Sequence, residues 1–274
     1  MECEPTTSSM SGPRSGSRAR GPSRAEWDAV IGRFPTATAD LLALRELRCR
    51  SDTKFVLAPS AVAELLHGLW PHYALLPAAA GPFGSYQTLY FDTGQLDLFH
   101  AQRRGKRLRH KVRIRHYEDR QMTSLEVKTR SSDLRTFKTW RERPYGDNQL
   151  SPDDRAFIET QTGLSQPVVP QVWTRYRRLM LLGIHSNERI SLDLDLRVEM
   201  GSRARSFDQL AILEVKQWPF CRSTPVMTAL RAAGSHPAWA GKYYTGIAFT
   251  HPGVRLSGLR FGLRNLEGVT RCAS

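Results

Sequence analysis

The sequence predicts an α+β fold in which an antiparallel sheet is flanked by a smaller number of helices. Four segments place charged, mainly cationic residues at every second position with apolar residues between them, as in strands with two unlike faces. Hairpin signals favour antiparallel pairing, and shorter stretches between the strands carry helix start and stop signals. The alternating segments are residues 111–115, 125–130, 189–197 and 212–216.

Start and stop signals divide the rest of the chain into helices and further strands. Ser60 and Thr224 are predicted N-caps, and Gly163 and Gly234 are predicted to end their helices. Residues 41–48 fit either a short helix or the approach to a strand. The predicted helices are 60–70, 151–162 and the one between Thr224 and Gly234, and the predicted strands are 47–57, 86–92, 171–182 and 188–200.

Composition bounds the function classes. The chain has 274 residues, a formal net charge of +14 and 40% hydrophobic residues, which is enough for a substantial core. Such a charge suits a nucleic-acid binder, a binder of anionic membranes or a host for phosphorylated substrates, and it does not choose among them.

The organisation predicted is one domain between two tails. Residues 1–25, rich in Ser, Gly, Pro and Arg, are expected to be a disordered tail, residues 26–266 one domain, and residues 267–274 a C-terminal tail. Four scattered cysteines without a CxxC spacing argue for a reducing compartment and against a zinc site. There is no signal core and no apolar run of about 18 residues, so we expect a cytoplasmic location.

The first two alternating segments are predicted to form a hairpin with a strong charge conflict. An even-numbered loop places Arg115 opposite Glu126, Arg113 opposite Lys128 and Lys111 opposite Arg130. Like charges about 6 Å apart at an effective dielectric near 20 repel by roughly 2 to 3 kcal/mol. A solvated polar face over a core is the ordinary explanation for a single alternating strand. Several such strands together favour a polyanionic ligand, because Arg and Lys suit phosphate oxygens.

A series of short motifs carries a family resemblance. In this order the chain resembles the VTC domain of polyphosphate polymerases, within the triphosphate tunnel metalloenzyme superfamily. The motifs are RSDTKF at 50–55, YFDT at 90–93, KVRIR at 111–115, LEVK at 125–128, YRR at 176–178, RISLD at 189–193, LEVK at 213–216 and KYYTG at 242–246.

The resemblance implies a fold, a reaction and a set of site residues. The fold is a closed antiparallel β-barrel of about eight strands with peripheral helices, opened into a tunnel. The reaction is transfer of the terminal phosphoryl group of ATP to a growing inorganic polyphosphate chain, with one Mn²⁺ or Mg²⁺ ion held by Glu214. The implied catalytic and phosphate contacts are Lys54, Arg113, Arg115, Lys128, Arg178 and Arg189, and Lys242 is a further phosphate contact.

The role of Lys216 and the identity of the binding partners are less sharply defined. Lys216 points the same way as Glu214, so it either meets phosphate or balances that carboxylate. The implied partners are ATP and polyphosphate. A separate membrane protein would couple synthesis to export, since the chain has no membrane helix of its own, and no specific nucleic acid is expected.

Two other functions remain open: a non-catalytic polyphosphate- or nucleotide-binding subunit, and a triphosphatase of the same superfamily. The first strand has Arg50, Asp52 and Lys54 where the hydrolase and cyclase branch has paired glutamates, which favours the polymerase branch.

Other residues in these strands have simpler predicted roles. Glu126 is predicted to pair with Arg115 rather than to bind metal. Asp193 and Asp195 are predicted to share the Arg189 face, either as neutralising partners or in support of the metal ligand. Lys138, Arg141 and Arg143 either guard a tunnel mouth or form a solvated basic loop. The tryptophans Trp140, Trp173, Trp218 and Trp239 are assigned to core packing rather than to stacking on adenine.

Overall fold

The structure is a computed structural model that describes residues 21–45, 50–133, 135–238 and 241–254. The described helices are α1 Arg24–Ile31, α2 Ala39–Leu44, α3 Pro59–His67, α4 Asp97–Arg103, α5 Pro152–Thr162, α6 Pro225–Ala232 and α7 Lys242–Thr250. The described strands are β1 Ser51–Leu57, β2 Tyr73–Leu76, β3 Phe83–Thr93, β4 Arg109–Tyr117, β5 Met122–Arg130, β6 Thr136–Arg143, β7 Val168–Gly183, β8 Glu188–Met200, β9 Arg203–Phe207 and β10 Ala211–Gln217.

Eight strands form one continuous antiparallel path in the order β1-β10-β8-β7-β3-β4-β5-β6, with β2 added to β7 and β9 to β8. The predicted α+β class and antiparallel sheet are confirmed. The predicted closure is not, because β1 and β6 end the path without pairing to each other in the part of the chain the structure describes. At β1 the Ala238 amide instead donates to the Lys54 carbonyl at 2.7 Å.

The sheet has an apolar outer face and a polar inner face. On the outer face, Val112, Ile114, Leu125 and Val127 are fully buried and pack with Ile158 of α5. Their alternation with charged residues therefore reflects a true two-sided sheet. A second outer cluster, between β1, β8, β10 and helices α1, α3 and α6, includes Phe55, Leu213, Val215, Trp27, Leu66 and Leu230.

Helix α7 packs against part of the inner face. Tyr243 and Ile247 of this helix join Tyr90 and Val172 in a third apolar cluster. The contact is close, because a Cβ at Gly246 would lie 2.8 Å from Val172 Cγ2. The helix covers the inner face at this end, and the charged residues occupy the remainder.

The hairpin of β4 and β5 has a different register from the predicted one. Arg113 lies opposite Glu126, Lys111 opposite Lys128, and Arg115 opposite Ser124. The loop is even-numbered, as predicted, but it spans only residues 118–121 and includes Gln121 at φ 48°. This tight turn moves the pairing by two residues, which gives Arg113 a carboxylate and leaves Lys111 facing another lysine.

The helix ends predicted from capping residues agree with the structure in some cases and not in others. Ser151 forms a capping box with Asp154, and Gly163 ends α5 at φ 68°, as predicted. Thr224 is the N-cap of α6, as predicted, although its side chain makes no capping bond. The prediction for Ser60 is wrong, since α3 begins at Pro59 after an Ala58 N-cap.

The predicted tails fall largely outside the described residues. Residues 1–20 and 267–274 are not described, and the predicted boundary near residue 25 falls inside α1, which begins at Arg24 after Ser23 in a capping box. None of the helices described is long and apolar enough to cross a membrane.

Candidate active site

The predicted contact residues that belong to strands all lie on the inner face of the sheet, and Lys242 lies at the start of α7, which packs on that face. Directly opposed residues in neighbouring strands share a face, and the pairs Lys54 with Glu214 and Lys216 with Arg189 follow this rule. We call this surface the cationic face. Its predicted members are Lys54, Arg113, Arg115, Lys128, Arg178, Arg189, Glu214, Lys216 and Lys242.

One group on the cationic face is centred on Glu214. Lys54 forms an ion pair with one carboxylate oxygen and Lys216 with the other. Lys216 also donates to Ser191 Oγ at 3.0 Å. Burial, reinforced by neighbouring cations, lowers the pKa of both lysines. Lys216 therefore forms an ion pair with Glu214 in this structure, and contact with phosphate stays a prediction.

A second group is centred on Asp193. Arg178 donates to both carboxylate oxygens, at 2.6 and 2.9 Å, and Lys242 of α7 pairs with the same carboxylate. Burial would raise the pKa of Asp193, but the charges of Arg178 and Lys242 outweigh it and lower that pKa. Arg178 also lies over the rings of Tyr86 and Tyr176, each 5.3 Å away. This group is a bidentate pair with an aromatic support.

A third group is centred on Glu126. Arg113 donates to it through Nε at 2.8 Å, and Tyr117 donates its hydroxyl at 2.9 Å. The prediction that Arg115 is the partner of Glu126 is wrong, because Arg115 Nε instead donates to Thr88 Oγ1 at 3.1 Å. Glu126 is 1% exposed. Burial would raise the pKa of its carboxyl group, but the charges of Arg113 and other nearby cations outweigh burial and lower that pKa. It is a buried counter-ion.

A row of lysines lies next to this group, and two of its three members form no ion pair with a described carboxylate. Lys111, Lys128 and Lys138 lie side by side across β4, β5 and β6. Lys138 lies 3.4 Å from Glu126, whereas no described carboxylate forms an ion pair with Lys111 or Lys128. Burial, reinforced by Lys128, lowers the pKa of Lys111 to about 7. Burial lowers that of Lys128 to about 8, although Asp52 opposes the change.

Lys111 and Lys128 of the lysine row line a cavity of about 330 Å³ that brings the two ends of the sheet together. Asp52 and Lys54 of β1 face Lys111 and Lys128 across it, and Gly241 borders it from the start of α7. Because β1 and β5 are far apart in the strand order, the sheet must curl strongly to place them around one space. Arg109 and Arg130 complete the cationic wall.

Several charged residues predicted near the site lie elsewhere. Asp195 pairs with Arg177 on the outer surface, at 2.5 Å, because its φ of 54° and a nearby register shift break the alternation after Asp193. Arg143 pairs with the buried Asp154 at the start of α5 rather than guarding an opening.

The tryptophan assignments hold only in part. Trp140 and Trp218 are 55% and 53% exposed, so core packing is wrong for both. Trp173 is half-buried and stacks on His116, and Trp239 lies outside the described residues.

Sequence reasoning missed three features of the site. Lys111 was in the alternating pattern, but only the structure shows that it faces Lys128. Tyr176 is 4% exposed and its hydroxyl has no hydrogen-bond partner in the described structure. Its position two residues before Arg178 was the available signal. Asp92 and its contacts, described below, had no recognisable signal beyond their motif.

Glu214 fits a divalent metal only as a shared ligand. No group of three or more His, Cys, Asp or Glu residues that could hold an ion occurs within the described ranges. Mg²⁺ and Mn²⁺ commonly use one or two carboxylates, with phosphate oxygens and water completing the octahedron. The residues therefore fit an ion that is bound together with a phosphate substrate, at the oxygens that Lys54 and Lys216 now contact.

Several solved structures are similar to this chain at low identity. HpAC1 from Hippeastrum, for which a dominant triphosphatase activity is reported, is 15% identical with a TM-score of 0.48, covering 75% of this chain and 98% of its own. PH1819 from Pyrococcus horikoshii OT3 is 11% identical with a TM-score of 0.42, covering 72% and 96%. PH1012 from the same organism is 12% identical with a TM-score of 0.38, covering 74% and 100%. No curated protein matches the chain.

The family comparison covers the whole cationic face. The VTC domain family matches residues 49–251, a range that runs from just before β1 to the end of α7. Every predicted site residue from Lys54 to Lys242 falls within it. The chain belongs to the VTC domain family.

Proposed function

We propose that this protein is a metal-dependent polyphosphate polymerase that transfers the terminal phosphoryl group of ATP to a growing inorganic polyphosphate chain. The observation that carries the proposal is an excess of cations over carboxylates around one cavity. Lys111 and Lys128 pair with no described carboxylate, and Arg130 Nε is buried without a hydrogen-bond partner among the described residues. A chain of linked phosphates would supply the missing negative charge and the missing acceptors.

The chemistry requires alignment and charge stabilisation rather than a protein nucleophile. The terminal oxygen of the polyphosphate chain attacks the γ-phosphorus of ATP, the bond to the β,γ-bridging oxygen breaks, and ADP leaves. A divalent ion at Glu214 would neutralise charge on the phosphate oxygens when bound. The remaining work falls to the cations, which hold two anionic reactants close together and in line.

The three carboxylate-centred groups suit this positioning role. Arg178 and Arg113 are each held by a buried carboxylate, so their guanidinium groups are fixed before substrate arrives. Lys54 and Lys128 line the cavity from two sides of the curled sheet, and Lys216 shares the Glu214 carboxylate with Lys54. Arg115, Arg189 and Lys242 extend the same cationic surface as further phosphate contacts.

The test is to incubate the purified protein with ATP and Mn²⁺ and to measure ADP and long-chain phosphate together. ADP with chain growth is the expected result. Orthophosphate without chains would replace the proposal with a triphosphatase. Tight binding of polyphosphate without any turnover would replace it with a binding subunit.

Glu214→Gln is the sharpest variant for the metal. It keeps the shape of the side chain and removes the charge that an ion needs, so turnover should fall at least about 100-fold while chain binding partly survives. The matched control is Asp195→Asn, which removes an exposed carboxylate on the outer surface and should leave turnover within about twofold. Unchanged turnover in Glu214→Gln would remove the metal assignment.

A further inference from the structure

A buried carboxylate at the end of β3 is the meeting point of two elements that border the cavity. Asp92 is fully buried and accepts hydrogen bonds from the amides of Leu98 and Phe99, at 2.9 and 2.8 Å, in the first turn of α4. It also accepts one from its neighbour Thr93. The hydroxyl of Tyr243, in the first turn of α7, donates to the same carboxylate. Asp92 therefore joins the starts of α4 and α7.

Tyr243 has few ways to release this contact. It is 3% exposed, and its ring stacks on Tyr90 with centroids 5.0 Å apart. Burial, reinforced by the charge of Asp92, raises the pKa of Tyr243 well above its usual value, so the phenol keeps the proton that it donates. One turn further along, Gly246 lies against Val172 too closely for a side chain. Tyr243 and Gly246, three residues apart, therefore anchor the same side of α7 to the sheet.

The residue next to Tyr243 belongs to the cationic face. Lys242 is the first residue of α7, pairs with Asp193, and lies over the ring of Tyr176 at 4.4 Å. A helix held at Tyr243 and Gly246 is fixed in both translation and rotation, and this sets where Lys242 points. If the bond to Asp92 were lost, the first turn of α7 could rotate or fray.

We infer that Asp92 and Tyr243 are positioning residues that set the place of Lys242 on the cationic face, and so contribute to the binding of linked phosphates without touching them. The inference rests on the proposed function, because it assigns Lys242 to phosphate. It adds that the order of α7 is part of the site. It also gives the buried Asp92 carboxylate a role in activity, beyond its role in capping α4.

The experiment is a double-mutant cycle in the full-length protein, with the affinity for inorganic tripolyphosphate measured by calorimetry. Tyr243→Phe keeps the ring and its stacking and removes only the donor, so affinity should fall about tenfold. In a Lys242→Met background the same change should alter affinity by less than about twofold, because the residue through which it acts is gone. Tyr244→Phe is the matched control, since Tyr244 stacks on Phe99 and is not among the described donors to Asp92, and it should leave affinity within about twofold.

The outcomes separate the inference from the function on which it depends. Equal losses of affinity from Tyr243→Phe in both backgrounds would show a general structural effect and overturn the inference. Unchanged affinity in Tyr243→Phe, with tight binding by the unmodified protein, would overturn the inference alone. Failure of the unmodified protein to bind tripolyphosphate would overturn the proposed function and the inference with it. A thermal unfolding scan checks that Tyr243→Phe is folded. Asp92→Asn tests the same hydrogen bond by changing its acceptor instead of its donor.

Discussion

The cationic face contains two regions that treat positive charge in opposite ways. Around Asp193 and Glu126, each principal cation is bonded to a buried carboxylate. Along the lysine row, Lys111 and Lys128 face each other across neighbouring strands, and no described carboxylate pairs with either. Both regions lie on the same side of the same sheet, so burial alone does not explain the difference.

The difference separates cations that are held in place before a ligand arrives from cations whose charge is available to a ligand. A cation already bonded to a carboxylate is fixed in place, and its charge is partly used. A cation facing another cation raises the free energy of the ligand-free protein, and an anion that binds between them removes that cost. We expect the paired region to define geometry and the lysine row to supply much of the attraction for phosphate.

The largest effect is expected in the paired region around Asp193 and Glu126, where two adjacent arginines can be compared. Arg178→Ala should weaken tripolyphosphate affinity roughly 10- to 100-fold, because a charge-assisted contact is lost and Asp193 loses its bidentate partner. Arg177→Ala removes the same side chain from the outer surface, where it pairs with the exposed Asp195, and should change affinity by less than about twofold. Calorimetric titration of both variants measures the contrast. Equal losses would mean that net charge, not the face, determines binding.

The next effect contrasts the two regions directly, in stability as well as binding. Lys111→Met removes a like-charge neighbour of Lys128 and should raise the free energy of unfolding by about 1 kcal/mol. Lys242→Met removes a partner of the buried Asp193 and should lower it by roughly 1 to 2 kcal/mol. Both variants should bind tripolyphosphate about tenfold more weakly. Urea unfolding and calorimetry measure the two quantities, and stability changes of the same sign would remove the distinction between the regions.

The two-sided sheet was predictable from the sequence because strand side chains alternate with a fixed period. The alternation of Lys111, Arg113 and Arg115 with Val112 and Ile114 requires only local geometry, and the structure confirms it. The motif resemblance added Lys54, Arg178 and Lys242, which no local pattern distinguishes.

The rest depended on features that a period of two does not encode. The short turn at 118–121 sets the hairpin register, and with it the facing of Lys111 and Lys128. The left-handed backbone at Asp195 sends its side chain outwards. The curl that brings β1 to β5 and the contact between Asp92 and Tyr243 join residues far apart in the chain.

The smallest expected effect is a dependence on pH that arises in the lysine row. The folded pKa values of Lys111 and Lys128, about 7 and about 8, lie below the ordinary lysine value of 10.5. Between about pH 7 and 10.5 the unfolded chain therefore binds more protons than the folded one, so the free energy of unfolding contributed by these groups rises with pH. Phosphate prefers the protonated lysines, and tripolyphosphate affinity should therefore fall about fivefold between pH 7 and 9. Titrations of the unmodified protein and of a Lys111→Met, Lys128→Met double variant measure this fall. A fall just as steep in the double variant would place the titrating groups elsewhere on the cationic face and leave the lysine row without its proposed part in binding.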